Sequence, residues 1–206
     1  MSSSIGIIDY KAGNLQSVIN AFKFVGFDAR LIKDSDEVAK FDRVVLPGVG
    51  AFSEAIKRLN ASNLDEAIKE FVKSGKPFLG ICLGMQLLFD ESSEFGHTKG
   101  LGLISGKVVK FDESKFSEPL KVPHTGWNGL NFTKNTSINA NLNKSEYLYF
   151  VHSYHVVCDN KFALANSEYG YKFVSAVNKD NIYGFQPHPE KSHSAGLKIL
   201  ENFGRM

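Results

Sequence analysis

Only two cysteines, Cys82 and Cys158, occur in 206 residues, too few for a disulfide framework and in keeping with a reducing compartment. Charge of one sign is also missing. Twenty-four basic residues face 22 acidic ones for a formal charge of +2 at pH 7, which excludes the basic stripe that gripping a nucleic acid requires. No apolar run approaches the length of a membrane span, so no membrane role is expected. The start, Met1-Ser-Ser-Ser-Ile5, lacks the basic segment of a secretory signal and reads as the lead into a first strand, with the cytoplasm as the expected location. There is no internal repeat and no low-complexity linker, so residues 1–206 are expected to form a single domain. With 43% hydrophobic residues, a chain of this length buries roughly 70% of its unfolded surface and needs no staples.

What is present alternates. Short β-rich runs and helical patterns follow one another through the first half, which predicts an α/β fold with a mostly parallel central sheet flanked by helices. Ile5 to Ile8, Ala29 to Ile32, Arg43 to Leu46 and Phe78 to Ile81 read as strands. Asn14 is placed to cap a helix carrying Leu15, Val18, Ile19 and Phe22, with Gly26 just past its end. Phe52 to Leu59 and Leu64 to Val72 make one or two further helices. After Gly100 the second half is β-rich, with strands expected at Gly106 to Phe111, Tyr147 to Val151, Tyr154 to Cys158, Phe162 to Ala165, Val174 to Val177 and Ile182 to Phe185. A closing helix is expected over Ser194 to Phe203, capped by Ser192 or Ser194. The Asn-, Thr- and Ser-rich stretch from Asn131 to Asn143 reads as a surface loop.

Within this pattern Gly80-Ile-Cys82-Leu-Gly84 stands out. An apolar strand ends on a cysteine between two glycines and turns directly into a helix-like run through Gln86 to Phe89. The spacing is that of the nucleophile elbow, G-x-S-x-G, with sulfur in place of oxygen. Glycines are needed because neighbouring backbones come close at such a turn, and the N–H groups of a helix start favour an anion beside them. The ordinary alternative for any cysteine is a small buried hydrophobe. That alternative is the reading for Cys158, which lies in an alternating strand without glycines.

A sulfur nucleophile needs a base, and the base needs a group that fixes its tautomer. Gln186-Pro-His188-Pro-Glu190 offers both, because in extended chain residues i and i+2 share a side. It follows the strand Ile182 to Phe185, so it can emerge at the same carboxyl edge as Cys82, where open α/β sheets bind ligands. A metal site is not expected. His152 and His155 have H-x-x-H spacing, but on a strand those positions point oppositely. His97 and His193 read as solvated side chains.

On these residues the chain resembles the class I, or triad, glutamine amidotransferases over essentially its whole length. The resemblance is carried by Gly13-Asn-Leu, Leu46-Pro-Gly-Val-Gly-Ala-Phe52, Gly80-Ile-Cys-Leu-Gly-Met-Gln86, Val122-Pro-His-Thr-Gly-Trp-Asn128, Tyr149-Phe-Val-His-Ser-Tyr154 and Gly184-Phe-Gln-Pro-His-Pro-Glu190. It implies Cys82 as nucleophile, His188 as general base and later acid, and Glu190 as the residue that orients it. The oxyanion hole would use the N–H of Leu83 and, after a peptide rearrangement between Pro47 and Gly50, that of Val49. Gly50, Gln86 and Glu94 would hold the substrate glutamine, with His152 and Ser153 lining the same pocket. No cofactor is implied. The P-G-V-G-x-F, P-H-x-G-W-N and F-V-H-S-Y pieces point to the branch whose partner is a (β/α)8-barrel cyclase. In that branch the two subunits form a heterodimer, and the ammonia yields imidazole glycerol phosphate and an aminoimidazole carboxamide ribotide for histidine biosynthesis.

Trp127, the single tryptophan, sits in a stretch without helical or strand periodicity and by its own residues suits either core or interface. The resemblance places Trp127, His124, Tyr149 and Lys191 at the partner interface. Two positions depart from the family pattern: Lys11, where glycine is common, and Pro187, which removes an N–H donor before His188. They leave room for a paralogue feeding a different ammonia acceptor, as in sugar or nucleotide-sugar amination. A cysteine hydrolase or peptidase of the same fold, and a non-catalytic regulatory module, are the other readings, since fold alone does not fix chemistry.

Overall fold

The computed structural model describes residues 4–206; Met1, Ser2 and Ser3, the lead into the expected first strand, lie outside the described residues. The order is β1 (Ile5–Ile8), α1 (Leu15–Phe24), β2 (Ala29–Ile32), β3 (Arg43–Gly48), α2 (Phe52–Ala61), α3 (Leu64–Lys73), β4 (Phe78–Cys82), α4 (Leu83–Gln86), β5 (Phe89–Ser92), β6 (Thr98–Lys99), β7 (Ile104–Lys110), β8 (His124–Phe132), β9 (Ser145–His152), β10 (Tyr154–Cys158), β11 (Ala163–Tyr169), β12 (Tyr171–Lys179), β13 (Ile182–Phe185) and α5 (His193–Gly204). Among the described residues, no helix is long and apolar enough to cross a membrane.

The strands form one sheet in the order β2-β1-β3-β4-β13-β12-β10-β7-β5-β6, with β11, β8 and β9 branching from β12. From β2 to β13 all neighbours are parallel. Parallel strands buried on both faces read as continuous apolar runs, and side chains alternate between two cores. Ile7, Val45 and Ile81 join α1 and α5 on one face. Ile8, Leu46 and Phe78 join α2 and α3 on the other. Phe22 of α1 and Phe203 of α5, both fully buried, meet with ring centroids 6.2 Å apart.

Helix boundaries follow local chemistry. The Asn14 side chain accepts from the Ser17 N–H and opens α1, and Gly26 takes a φ of 89° just beyond its end. The long helical stretch from Phe52 is two helices because Asn63 adopts the left-handed conformation between them. The expected cap of α5 is not made: the Ser192 hydroxyl donates instead to the His188 carbonyl at 2.5 Å and accepts from the Tyr149 N–H at 3.0 Å.

Three other expectations are corrected. The helix after Cys82 is a single turn, and the chain is in strand β5 by Phe89. Leu83, Met85, Leu87 and Leu88 are all buried, so no polar face exists to mark a helical period. Residues 131–143 are not simply a surface loop. Asn131 and Phe132 belong to β8, Ile138 is fully buried, and the Asn202 amide of α5 donates to the carbonyls of Ile138 and Ala140 at 2.9 and 2.8 Å. The segment around Trp127 is strand β8, paired with β9.

The glycines of the elbow are there for space. A Cβ on Gly84 would lie 1.7 Å from the Leu46 carbonyl oxygen, and one on Gly80 would lie 2.7 Å from that of Gly84. Both obstacles are backbone and cannot rotate away. Gly84→Ala is therefore expected to destabilise the fold by at least about 3 kcal/mol, or about 10 °C in Tm by thermal melting.

Candidate active site

The adjacent parallel strands β3, β4 and β13 end together at one edge of the sheet. Their register, Gly48 with Cys82 and Phe185 with Ile81, brings the P-G-V-G segment, the elbow and the Q-P-H-P-E segment side by side. A cavity of about 500 Å³ opens there. Every residue assigned above to nucleophile, base, oxyanion hole or substrate lines it, with Glu190 placed behind His188.

Cys82 has φ 55° and ψ −112°, a strained conformation for a residue with a Cβ, held because β4 and α4 fix the chain on both sides. It is 7% exposed. Its sulfur lies 3.9 Å from the Val151 carbonyl and 3.7 Å from Nε2 of Gln186.

His188 is held by its backbone, whose N–H donates to the Tyr149 carbonyl at 2.9 Å and whose carbonyl accepts from Ser192. Its Nδ1 lies 2.8 Å from Oε1 of Glu190, and both side chains are 3% exposed. Its Nε2 makes no hydrogen bond among the described residues; the Cys82 sulfur is near enough to act on the ring's charge but outside hydrogen-bond geometry. Burial alone would lower the pKa of His188, but Cys82 and Glu190 outweigh it and raise it to about 10. The imidazolium is thus the form at neutral pH, its Nδ1–H donating to Oε1 of Glu190. Pro187 removes an N–H that lies between the two in use, since that of Gln186 goes to Ser175 and that of His188 to Tyr149.

The remaining walls are similarly fixed. Val49 is 44% exposed at the rim, and Gly50 has φ 95°. The Glu94 carboxylate accepts from the Phe52 N–H at 2.6 Å, so it caps α2 as well as facing the cavity. Gln86 donates to the Tyr154 carbonyl at 3.1 Å and to Oε1 of Gln186 at 2.9 Å, which leaves its own carbonyl oxygen for a ligand. His152 lies 2.8 Å from the Tyr154 carbonyl through Nδ1 and 3.0 Å from Nδ1 of His124 through Nε2. Burial lowers the two rings to about 3 and about 4, so both are neutral.

His124 does not stand on the surface with Trp127. In the β8–β9 pairing Trp127 opposes Tyr149 while His124 opposes His152, and alternate residues take opposite faces. Trp127 is 46% exposed, whereas His124 is 3% exposed, stacked between Tyr169 and Phe150. His152 and His155 do not point oppositely, because β9 ends at His152 and a separate strand, β10, begins at Tyr154. Both rings pack on Phe111, at 5.1 and 4.9 Å. His193 is exposed but stacked flat on Trp127 at 4.9 Å, and His97 pairs with Glu91 at 2.6 Å. Cys158 is half-buried, and burial pushes its thiol up to about 11. Lys110, which no motif contains, and Tyr154, which closes the F-V-H-S-Y motif without an assigned role, also line the cavity. Gln186, fully buried beside the sulfur, is missed by sequence reasoning as well; its only signal is its place two residues before His188.

Sulfur, imidazolium and carboxylate at the carboxyl end of a parallel sheet are the groups that cysteine-dependent acyl transfer requires. The model of the family "Glutamine amidotransferase class-I" matches residues 6–206, and the chain belongs to that family. It is 57% identical over 200 residues to the "Imidazole glycerol phosphate synthase subunit HisH" of Sulfurimonas denitrificans, covering 97% of this chain and 96% of that protein. The protein of the same name from Wolinella succinogenes is 50% identical, covering 97% and 98%. Among solved structures, "PurLQS from Thermotoga maritima" superposes with a TM-score of 0.77 at 19% identity over 98% of both chains, a likeness of fold.

Proposed function

We propose that this protein is the glutaminase subunit of an imidazole glycerol phosphate synthase, hydrolysing glutamine to glutamate and passing ammonia to a (β/α)8-barrel cyclase. The observation that carries the chemistry is that Cys82 and His188 both line a cavity large enough for an amino acid, with Glu190 behind His188 and hydrogen-bonded to its Nδ1. The high identity to subunits of that synthase over nearly the whole chain supports the choice of acceptor.

In this reading the Cys82 thiolate attacks the side-chain carbonyl carbon of glutamine. The oxyanion is received by the N–H of Leu83 and, once the 47–50 segment rearranges, that of Val49. Collapse breaks the C–N bond while the His188 imidazolium protonates the departing nitrogen, giving ammonia and a glutamyl thioester. His188, now neutral, takes a proton from water as the water attacks the thioester. Glutamate leaves and the thiolate returns. Gly50, Gln86, Glu94, His152 and Ser153 position the glutamine.

Ammonia is nucleophilic only while neutral, and bulk water at neutral pH protonates it, so an enclosed route to a partner is required. The outward side of β8 and β9 suits the contact. Trp127, Tyr147 and Val151 are exposed there, and Val49 is exposed on the cavity rim nearby; exposed aromatic and apolar groups clustered in this way are typical of interface cores. Tyr149 and the exposed Lys191 join that side, whereas His124 would contribute from behind it.

A coupled assay tests the reading. The isolated chain is expected to hydrolyse glutamine slowly and to accelerate at least about tenfold, a coupling of ordinary size, with a barrel cyclase bound to its nucleotide substrate. Fast hydrolysis unchanged by any such partner counts against it.

A further inference from the structure

We infer that Gln186 is a further catalytic residue, whose side-chain amide donates to the Cys82 sulfur and holds the thiolate while His188 moves the proton. The inference rests on Cys82 being the nucleophile. Gln186 follows β13 and is 0% exposed, so its amide has no water to turn to and must find its partners inside the protein.

The direction of the amide is forced from a fixed point. The Tyr154 carbonyl can only accept, so Gln86 presents its NH2 group to it, at 3.1 Å. The second N–H on that nitrogen meets Gln186 at 2.9 Å, where only an oxygen can receive it. Gln186 therefore turns its Oε1 toward Gln86 and its NH2 toward the sulfur, 3.7 Å away. Flipping either amide would set donor against donor or acceptor against acceptor elsewhere in the chain. A planar N–H donor facing sulfur favours the anion over the thiol. Of the other groups near the sulfur, the Val151 carbonyl can only accept and so opposes the anion, while His188 and the buried Tyr10 hydroxyl act on it through their charge or polarity.

This donor carries out a task that His188 cannot. His188 surrenders its proton to the departing ammonia and regains it from water, whereas the amide never titrates. The sulfur keeps one N–H partner when it attacks and when it leaves the thioester.

The test is the reactivity of Cys82 in Gln186→Leu and Gln186→Glu, made in a Cys158→Ser background so that one cysteine reacts. Alkylation by iodoacetamide is followed across pH, with kcat and KM for glutamine and the melting temperature measured on the same samples. At neutral pH alkylation is expected to slow about tenfold in the leucine variant, the scale of one hydrogen bond to a charged group, and more with glutamate. The kcat is expected to fall by a similar factor with KM little changed. Gln186→Glu keeps the shape of the side chain and remains readable should Gln186→Leu fail to fold. Unchanged Cys82 alkylation in a folded variant overturns the inference, and so does lost hydrolysis with unaltered alkylation, since the amide would then act on glutamine. A parent protein that consumes no glutamine would instead sink the glutaminase reading.

Discussion

Cys82→Ala is expected to lower glutamine-dependent synthesis by the complex roughly 10⁴- to 10⁶-fold while ammonia-dependent synthesis continues at its original rate. The first effect follows from removing the only atom that can form the thioester. The second follows from the division of labour proposed above: ammonia supplied from solution needs no thioester, and its use is assigned to the partner subunit. The substitution is also structurally quiet. Alanine must adopt the same strained φ of 55° that cysteine does, so the backbone cost is unchanged, and the loss of one buried sulfur removes only a small apolar volume. The melting temperature should move by a few degrees at most. Parallel rate measurements with glutamine and with an ammonium salt separate the cases. Loss of both activities would mean that Cys82 holds the structure rather than performing the reaction.

The contrast between the two halves of the chain shows which physical signals reach the sequence. Strands β1 to β4 and their helices were legible because each is a short apolar run bounded by a turn residue, and because Asn14 and Gly26 punctuate α1 where backbone chemistry demands it. The elbow was legible for the same local reason, since Gly80 and Gly84 answer to contacts within a few residues and with the adjoining strand. Between Leu83 and Phe89 the signal failed, because a segment buried on all sides has no period to read. Strand β8 was hidden by Gly126 and Gly129, and without the strand the alternation that turns His124 inward and Trp127 outward was not legible; the resemblance alone placed both at the partner interface. Ser192 resembled a helix cap yet serves the His188 and Tyr149 backbones, a use that only tertiary structure reveals. Gln186 was hardest to see. Its partners, Gln86 and Cys82, are about 100 residues away in sequence and meet it only because β13 lies beside β4.

Glu190→Gln should be the most informative change at the base. The carboxylate is 2.8 Å from Nδ1 of His188, and its other oxygen, Oε2, is buried without a hydrogen-bond partner among the described residues, so the imidazole is its one side-chain partner there. Burial is the largest influence on His188 and lowers it; Cys82 and Glu190 reverse the balance and raise it to about 10. Removing one of the two raising groups lets burial regain ground, so the folded-state value falls. The sign then follows. The imidazolium, needed to protonate the departing nitrogen, is lost as pH rises through that lowered value, and the alkaline limb of kcat/KM moves to lower pH. The amide can also turn its NH2 toward Nδ1, which imposes the wrong tautomer. In the serine-protease triad the equivalent carboxylate-to-amide change costs roughly 10⁴-fold for that reason, and a loss of about 10³-fold is expected here because a sulfur nucleophile depends less on a base than a hydroxyl does. A pH profile of glutamine hydrolysis in the complex checks both parts. A Glu190→Gln protein with the parent's alkaline limb would show that Glu190 does not govern the charge on His188.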